Sequence, residues 1–274
     1  MNNNTAYTLS EHSGVKYISF PAFDRTGLIK CVFSTRIGGV SKAPYESLNL
    51  GFTTNDKIKN VKENRARFSE IIKDAFKNKI LQIHGNNIIK IEKKIEKDTI
   101  LGAADAMMTN LSDTPLAILV ADCLVVFILD PVKKSVAAMH CGWRGTVQNI
   151  IGEALKKMSA EYGTDSKDCL AAISPGIGGC CFLVDKDVYD AFNSAYPEWA
   201  DLINKVVGAH CNVPLQKWSI DLNQINYRLL LKAGIKKEHI SSCKLCTSCE
   251  KELFYSYRRD NKDTGRMAGV ISIL

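Results

Sequence analysis

The segment 115-PLAILVADCLVVFILDPVKKSVAAMHCGWRG-145 decides the fold. Residues 115–130 form one long apolar run, rich in Val, Ile and Leu and broken only by Asp122 and Cys123. Such a run suits a single strand buried on both faces. DPVKK (130–134) supplies a turn, and SVAAMH (135–140) is the expected neighbouring strand. The second strand ends on His140, Cys141, Trp143 and Arg144, set around Gly142 and Gly145. An imidazole, a thiol and a guanidinium at the end of a buried strand place polar chemistry at a sheet edge. An amphipathic helix is expected from Thr146, acting as N-cap, to Tyr162.

Outward from this segment, GLIKCVFSTR (27–36) is an expected strand that runs into the glycine loop IGGVSKAPYESLNLG. Residues 59–77 carry Val61, Phe68, Ile72 and Phe76 at helical spacing. KILQIHG (79–85) is a short strand with a glycine stop, and CLAAISPGIGG (169–179) is a strand followed by a glycine loop. Asp221 is placed to cap a helix to Ala233 that Gly234 ends. Strands and helices mix without strict alternation. The expected fold is α+β, a single-domain α/β sandwich with mixed β-sheets over residues 1–274, with 1–15 a flexible N-terminus.

With 274 residues the chain can bury a sizeable core. No apolar run approaches the roughly 20 residues of a membrane span, and the polar N-terminus lacks the apolar stretch of a signal peptide. A cytoplasmic protein without a membrane partner is expected, with a monomer favoured. The net charge of +7 comes largely from lysines mixed with glutamates, as in IIKIEKKIEKD, a solvated face. No basic stripe with interleaved aromatics accompanies it, so nucleic acid is not an expected partner.

His84 closes LQIHG, Cys123 lies within VADCLVV, and His140 closes AAMH. All three fall in or at the ends of expected strands, which can meet at one sheet edge. Two imidazoles and a thiolate suit zinc, and three protein ligands leave a fourth position open. Asp122 is placed to orient a histidine or take a proton. A metal-free alternative makes Cys123 or Cys141 a nucleophile activated by His140, but the apolar setting of Cys123 fits ligation better. His₂Cys also serves copper when a weak axial Met is present. Met139, however, should point away from His140, and five histidines (12, 84, 140, 210 and 239) are too few for a multicopper cluster.

With no export signal, the ten cysteines are expected as reduced thiols. CKLCTSC (243–249) lacks the next cysteine of an iron–sulfur run, and no second CxxC completes a Cys₄ zinc site. Its thiols are therefore read as reduced and partly buried. Arg36, Arg144, Arg258, Arg259 and Arg266 offer forks for phosphate or carboxylate. Arg36 is favoured, because Gly38 and Gly39 would let backbone approach an anion.

Seven motifs occur in order: FSTRIGGVSKAPYESLNLG, VKENRARF, LQIHG, ADCLVVFILDP, HCGWRGT, SPGIGGCCF and SYRRDNKDTGRMA. Together, from about residue 30 to the C-terminus, they resemble the laccase-domain family, also called YfiH-like or multicopper polyphenol oxidase, whose members are described as purine nucleoside phosphorylases. The resemblance implies one α/β sandwich domain with zinc on His84, Cys123 and His140, which are also the catalytic candidates. It further implies phosphorolysis of adenosine, inosine, guanosine and methylthioadenosine, and deamination of adenosine, with purine nucleosides and phosphate as partners. Older descriptions imply a copper-dependent polyphenol oxidase, and a bacterial branch implies editing of peptidoglycan precursors or scaffolding. The matching motifs carry the substrate-binding candidates Arg36, Gly39, Asn49, Gln82, Arg144 and Arg258. Three positions depart from the usual pattern: Cys141 for alanine, Gly179 for proline and Leu183 for glutamate.

Overall fold

The computed structural model describes residues 5–95, 97–206 and 217–274. His210 and Cys211 lie outside them. The chain opens on a hairpin of β1 (Thr8–His12) and β2 (Val15–Ser19), followed by one helical turn, α1 (Pro21–Asp24), and β3 (Ile29–Ser34). The expected flexible N-terminus is thus corrected from Thr8 onward. β1 pairs with β2 and β2 with β3, and the apolar Val15 and Ile18 anchor the hairpin in two cores. α2 (Ile58–Ser69) stops short of the expected 59–77. Past Ser69 the chain tightens into i→i+3 turns, the Glu70 amide donating to the Arg67 carbonyl and the Ile71 amide to that of Phe68, and Asp74 follows at φ +58°, yet Phe68, Ile72 and Phe76 still share one core.

Next come β4 (Asn78–Leu81), β5 (Ile88–Lys90), β6 (Thr99–Ala103), β7 (Ala106–Thr109), β8 (Leu116–Val120), β9 (Leu124–Asp130) and β10 (Ser135–Cys141). After them run α3 (Trp143–Val147), α4 (Ile150–Tyr162), β11 (Leu170–Ile173), β12 (Leu183–Val184), α5 (Lys186–Ala195), β13 (Ile203–Val206) and β14 (Lys217–Ile220). α6 (Leu222–Lys232), β15 (Ile240–Ser242) and β16 (Met267–Ile273) complete the chain. α6 is the helix expected from its ends: the Asp221 carboxylate accepts from the Gln224 amide, and Gly234 follows at φ +96°.

Two sheets face each other. One has the order β1-β2-β3-β16-β8, and the other β15-β11-β9-β10-β7-β5. Between them lies a core of Phe33, Ile118, Met267 and Ile271 from the first sheet against Val125, Phe127 and Leu129 from the second. The alternate residues of β9, Leu124, Val126 and Ile128, face a second core covered by α4 and α6. α2 covers the outer face of the first sheet through Phe68, and the turns that follow it add Ile71 and Ile72. The result is the expected α+β sandwich with mixed sheets, in four layers. Burial on both faces explains why β9 reads as an unbroken apolar run; each large side chain so placed contributes roughly 1.5–3 kcal/mol.

The opening segment is not one strand but two. β8 belongs to the first sheet and β9 to the second, so residues 121–123 form a corner where the chain crosses between layers. Asp122 makes the corner at φ +83°. Its carboxylate accepts from the Thr247 hydroxyl at 2.6 Å and from the Arg258 amide at 2.7 Å. The helix expected from Thr146 to Tyr162 also divides. α3 begins earlier, at Trp143, and Asn149 in left-handed backbone caps α4 by accepting from the Gly152 amide. Thr146 is buried inside α3, where its hydroxyl pairs with Asn226.

Candidate metal centre and its cavity

The corner brings Cys123 to the end of β10, where His140 stands, and to the turn after β4, which carries His84. One ligand atom from each of His84, Cys123 and His140 lies within 4.8 Å of the others. The two imidazole rings meet edge-on, 4.8 Å between centroids. His140 is buried, Cys123 half-buried and His84 exposed, so the cluster opens to one side.

Asp105, fully buried between β6 and β7, organises this cluster. Its carboxylate accepts from the amides of Ile83, His84 and Gly85 at 3.2, 3.0 and 2.6 Å, and from His140 Nδ1 at 2.8 Å. The first three bonds hold the turn in which His84 adopts φ +59°. The fourth assigns the Nδ1 proton and leaves Nε2 free as a ligand. Burial pushes the Asp105 carboxyl up, but the bonds from His140 and Gly85 outweigh it and keep it below its ordinary value. Sequence reasoning gave this orienting role to Asp122, which instead ties loops together at the corner. The one signal for Asp105 was a carboxylate in the otherwise apolar run AADAMM.

Burial pushes the Cys123 thiol up, yet the facing His140 and His84 pull it down to about 6. Burial pushes His140 down, yet the Cys123 thiolate and Asp105 raise it to about 9. The pair therefore favours a thiolate beside an imidazolium, and a soft cation can replace the proton. Gly142 leaves room for this: a Cβ there would lie 3.2 Å from Cys123 Sγ and 3.5 Å from His140 Nε2. Gly145 does the same for the neighbouring turn, since its Cβ would meet the Gly85 carbonyl at 2.9 Å. Cys141, next in sequence, packs into the helix-side core, where burial raises its thiol. Met139 lies in that same core, away from His140. The donor set, the fixed tautomer and the space beside the thiolate all fit a bound zinc ion.

A cavity of about 270 Å³ adjoins the cluster, with His84, Cys123, Trp143, Arg144, Tyr257 and Arg258 in its wall. Arg144 lies over the Trp143 ring at 4.2 Å. Arg258 donates to the Leu183 carbonyl and lies 5.4 Å from the Phe182 ring centre. Of the six substrate-binding candidates, these two reach the cavity. Arg36 does not: it lines a different cavity, with its guanidinium 4.7 Å over Tyr255 and donating to the carbonyls of Glu46 and Lys251. Gly39 is a packing glycine whose Cβ would strike the Ser47 carbonyl at 2.2 Å. Buried Asn49 bonds Thr54, Asp56 and the amides of Gly51 and Arg266. Gln82 spends its amide on both backbone groups of Leu119. These four hold the scaffold.

CKLCTSC also differs from expectation. Cys180 and Cys181 supply the pair missing from its sequence, since their sulfurs lie with those of Cys246 and Cys249 within 4.8 Å of one another.

A sandwich with this cluster at its inter-sheet corner has known relatives. The family model described as multi-copper polyphenol oxidoreductase laccase matches residues 30–274, and the chain belongs to that family. The purine nucleoside phosphorylase YlmD of Bacillus subtilis is 37% identical over 250 residues, covering 88% of this chain and 87% of that protein. The purine nucleoside phosphorylase YfiH of Escherichia coli is 34% identical over 242 residues, covering 88% and 92%. The crystal structure of the Bacillus licheniformis hypothetical protein YfiH superposes with a TM-score of 0.85 at 30% identity, over 97% of this chain and 99% of that one.

Proposed function

We propose that the protein is a zinc-dependent purine nucleoside enzyme, a single domain that phosphorolyses adenosine, inosine, guanosine and methylthioadenosine and deaminates adenosine. The observation that carries this reading is a His₂Cys cluster open on one side to a cavity walled by aromatic rings and two arginines. The names of its relatives supply the substrate class. When bound, zinc supplies a Lewis acid for a substrate oxygen.

The chain's own residues account for the rest. The Trp143, Phe182 and Tyr257 rings line the cavity and suit a flat purine. Arg144 and Arg258 supply guanidinium forks for phosphate. In phosphorolysis a phosphate oxygen bonds to the ribose anomeric carbon as the bond to the purine nitrogen breaks, and the purine leaves with the bonding pair. Fixed cations beside the incoming phosphate hold it in line and require little reorganisation. Asp105 takes no part in bond making; it holds His140 and the His84 turn in register.

A copper oxidase is less well supported. Met139 is turned into the core, and among the described residues His12 and His239 face Glu70 and the Cys169 carbonyl rather than the cluster. A purely structural zinc would need a fourth protein ligand, and among the described residues no other His, Cys, Asp or Glu joins the three. The test is product analysis of adenosine and inosine, with and without phosphate, on metal-analysed protein. Phosphate-dependent release of adenine and hypoxanthine, with phosphate-independent inosine formation from adenosine, is expected. Zinc-loaded protein that releases no base from either nucleoside would refute the proposal.

A further inference from the structure

The thiols outside the His–Cys–His cluster converge for a topological reason. β11 and β15 are parallel neighbours, with Ala171 opposite Ile240 and Ile173 opposite Ser242. Parallel strands release their following loops at the same sheet edge. The 174–182 loop carries Cys180 and Cys181, and the 243–249 loop carries Cys246 and Cys249. The pairing continues beyond the strands through a parallel bridge between Gly176 and Cys246, with the Gly176 amide bonded to the Leu245 carbonyl and the Thr247 amide to the Gly176 carbonyl.

All four sulfurs lie within 4.8 Å of one another. Cys249 Sγ is 3.6 Å from Cys180 Sγ and 3.5 Å from Cys181 Sγ. Four sulfurs ~2.3 Å from one tetrahedral ion stand roughly 3.8 Å apart. An iron–sulfur cluster spreads its cysteines over several irons, so this closeness suits one ion. The Gly178 amide donates to Cys246 Sγ at 3.3 Å, a bond that favours thiolate. A Cβ on Gly178 would lie 3.2 Å from Cys180 Sγ and from the Cys246 Cβ. A side chain at this position would therefore crowd the sulfurs, and glycine leaves them room.

We propose that Cys180, Cys181, Cys246 and Cys249 form a second metal site, a tetrathiolate that holds one zinc ion. With four protein ligands it is closed, hence structural. It joins two walls of the substrate cavity: the first loop supplies Ile177 and Phe182, and the second leads to Tyr257 and Arg258. The assignment does not depend on the reaction at the other site.

The test is metal analysis of protein purified under reductant. The wild type should carry two zinc equivalents per chain. The His84→Ala/His140→Ala variant should keep one, and the Cys180→Ser/Cys249→Ser variant should lose one. A His variant without zinc, a cysteine variant with both equivalents, or iron with inorganic sulfide would overturn the proposal. Alkylation mapping of the wild type removes any dependence on how the variants fold. Cys180 and Cys249 are exposed, so as free thiols they would react readily. They should be protected with zinc bound and become reactive after chelation. Rapid alkylation of both with zinc present, or a disulfide among the four, would equally refute it.

Discussion

At the scale of single residues, chemical type and neighbourhood behave differently. His84, Cys123 and His140 were legible because imidazole and thiol side chains are uncommon at strand ends and carry their chemistry in their identity. Asp105 was not legible, because an aspartate becomes an orienting group only when three amides and an imidazole surround it. Arg36 shows the converse case, lying in a different cavity from the cluster. A strand-end arginine before two glycines reads the same whether it faces an anion or lies over Tyr255, and here it does the latter. This separation yields a prediction. Arg144→Ala and Arg258→Ala should each lower kcat/KM for phosphate by roughly 10- to 150-fold, the equivalent of one charged hydrogen bond at about 1.5–3 kcal/mol. Arg36→Ala should leave phosphate kinetics near wild type and lower stability instead, since it removes bonds to two loops. Initial rates against phosphate concentration, set beside urea midpoints, separate the cases. A phosphate defect confined to Arg36→Ala would return that residue to the site.

At the scale of elements, apolar runs with turn or glycine stops located β3, β10 and β11, and cap residues located α6, but the reading failed at Asp122, where a polar residue redirects the chain. Nothing in 115–130 marks Asp122 as a corner, because its partners Thr247 and Arg258 lie more than a hundred residues away in sequence. The 254–266 loop that brings Arg258 there is itself held by charge. Arg259 donates to the carbonyls of Thr247, Ser248 and Phe254, and its fork grips Asp260. Burial pushes the Asp260 carboxyl up, but bonds from Arg259, Thr264 and the Ser256 amide outweigh it and hold it below its ordinary 3.8. A carboxyl depressed in the fold contributes stability that is fully present above its unfolded value, about 4, and is lost as pH falls through the folded value. Asp260→Asn should therefore be less stable than wild type at about pH 6, and the gap should narrow towards about pH 3. Urea midpoints at the two pH values read this directly. A gap that is constant, or that widens in acid, would contradict it.

At the scale of the whole molecule, the separation of the two sheets determines where the corner, and Cys123 with it, can sit. They approach closely at Gly269 of β16, where a Cβ would lie 2.7 Å from the Phe127 ring and 3.1 Å from Val125 Cγ1. Composition and strand spacing reveal that two sheets exist, but not this contact, because pairing across layers leaves no periodic trace. Phe127 on β9 lies four residues after Cys123, so a change in sheet spacing at that ring should shift the corner that carries Cys123. Gly269→Val should overpack the interface and cost about 1–3 kcal/mol or more. Phe127→Ala should cost about 3–5 kcal/mol by leaving a cavity. If the two positions meet as described, the double variant should be more stable than the sum of the single losses implies, by about 0.5–3 kcal/mol, because the valine enters the space the ring has left. Zinc affinity at the His–Cys–His cluster should follow the same order, lower in Gly269→Val and partly restored in the double variant. Urea unfolding gives the coupling, and competition with a chromogenic chelator, performed on the Cys180→Ser/Cys249→Ser background so that one site is read, gives the affinity. Strict additivity in stability would place the sheets further apart than the geometry has them. Unchanged zinc affinity in Gly269→Val would uncouple the corner from the sandwich that positions it.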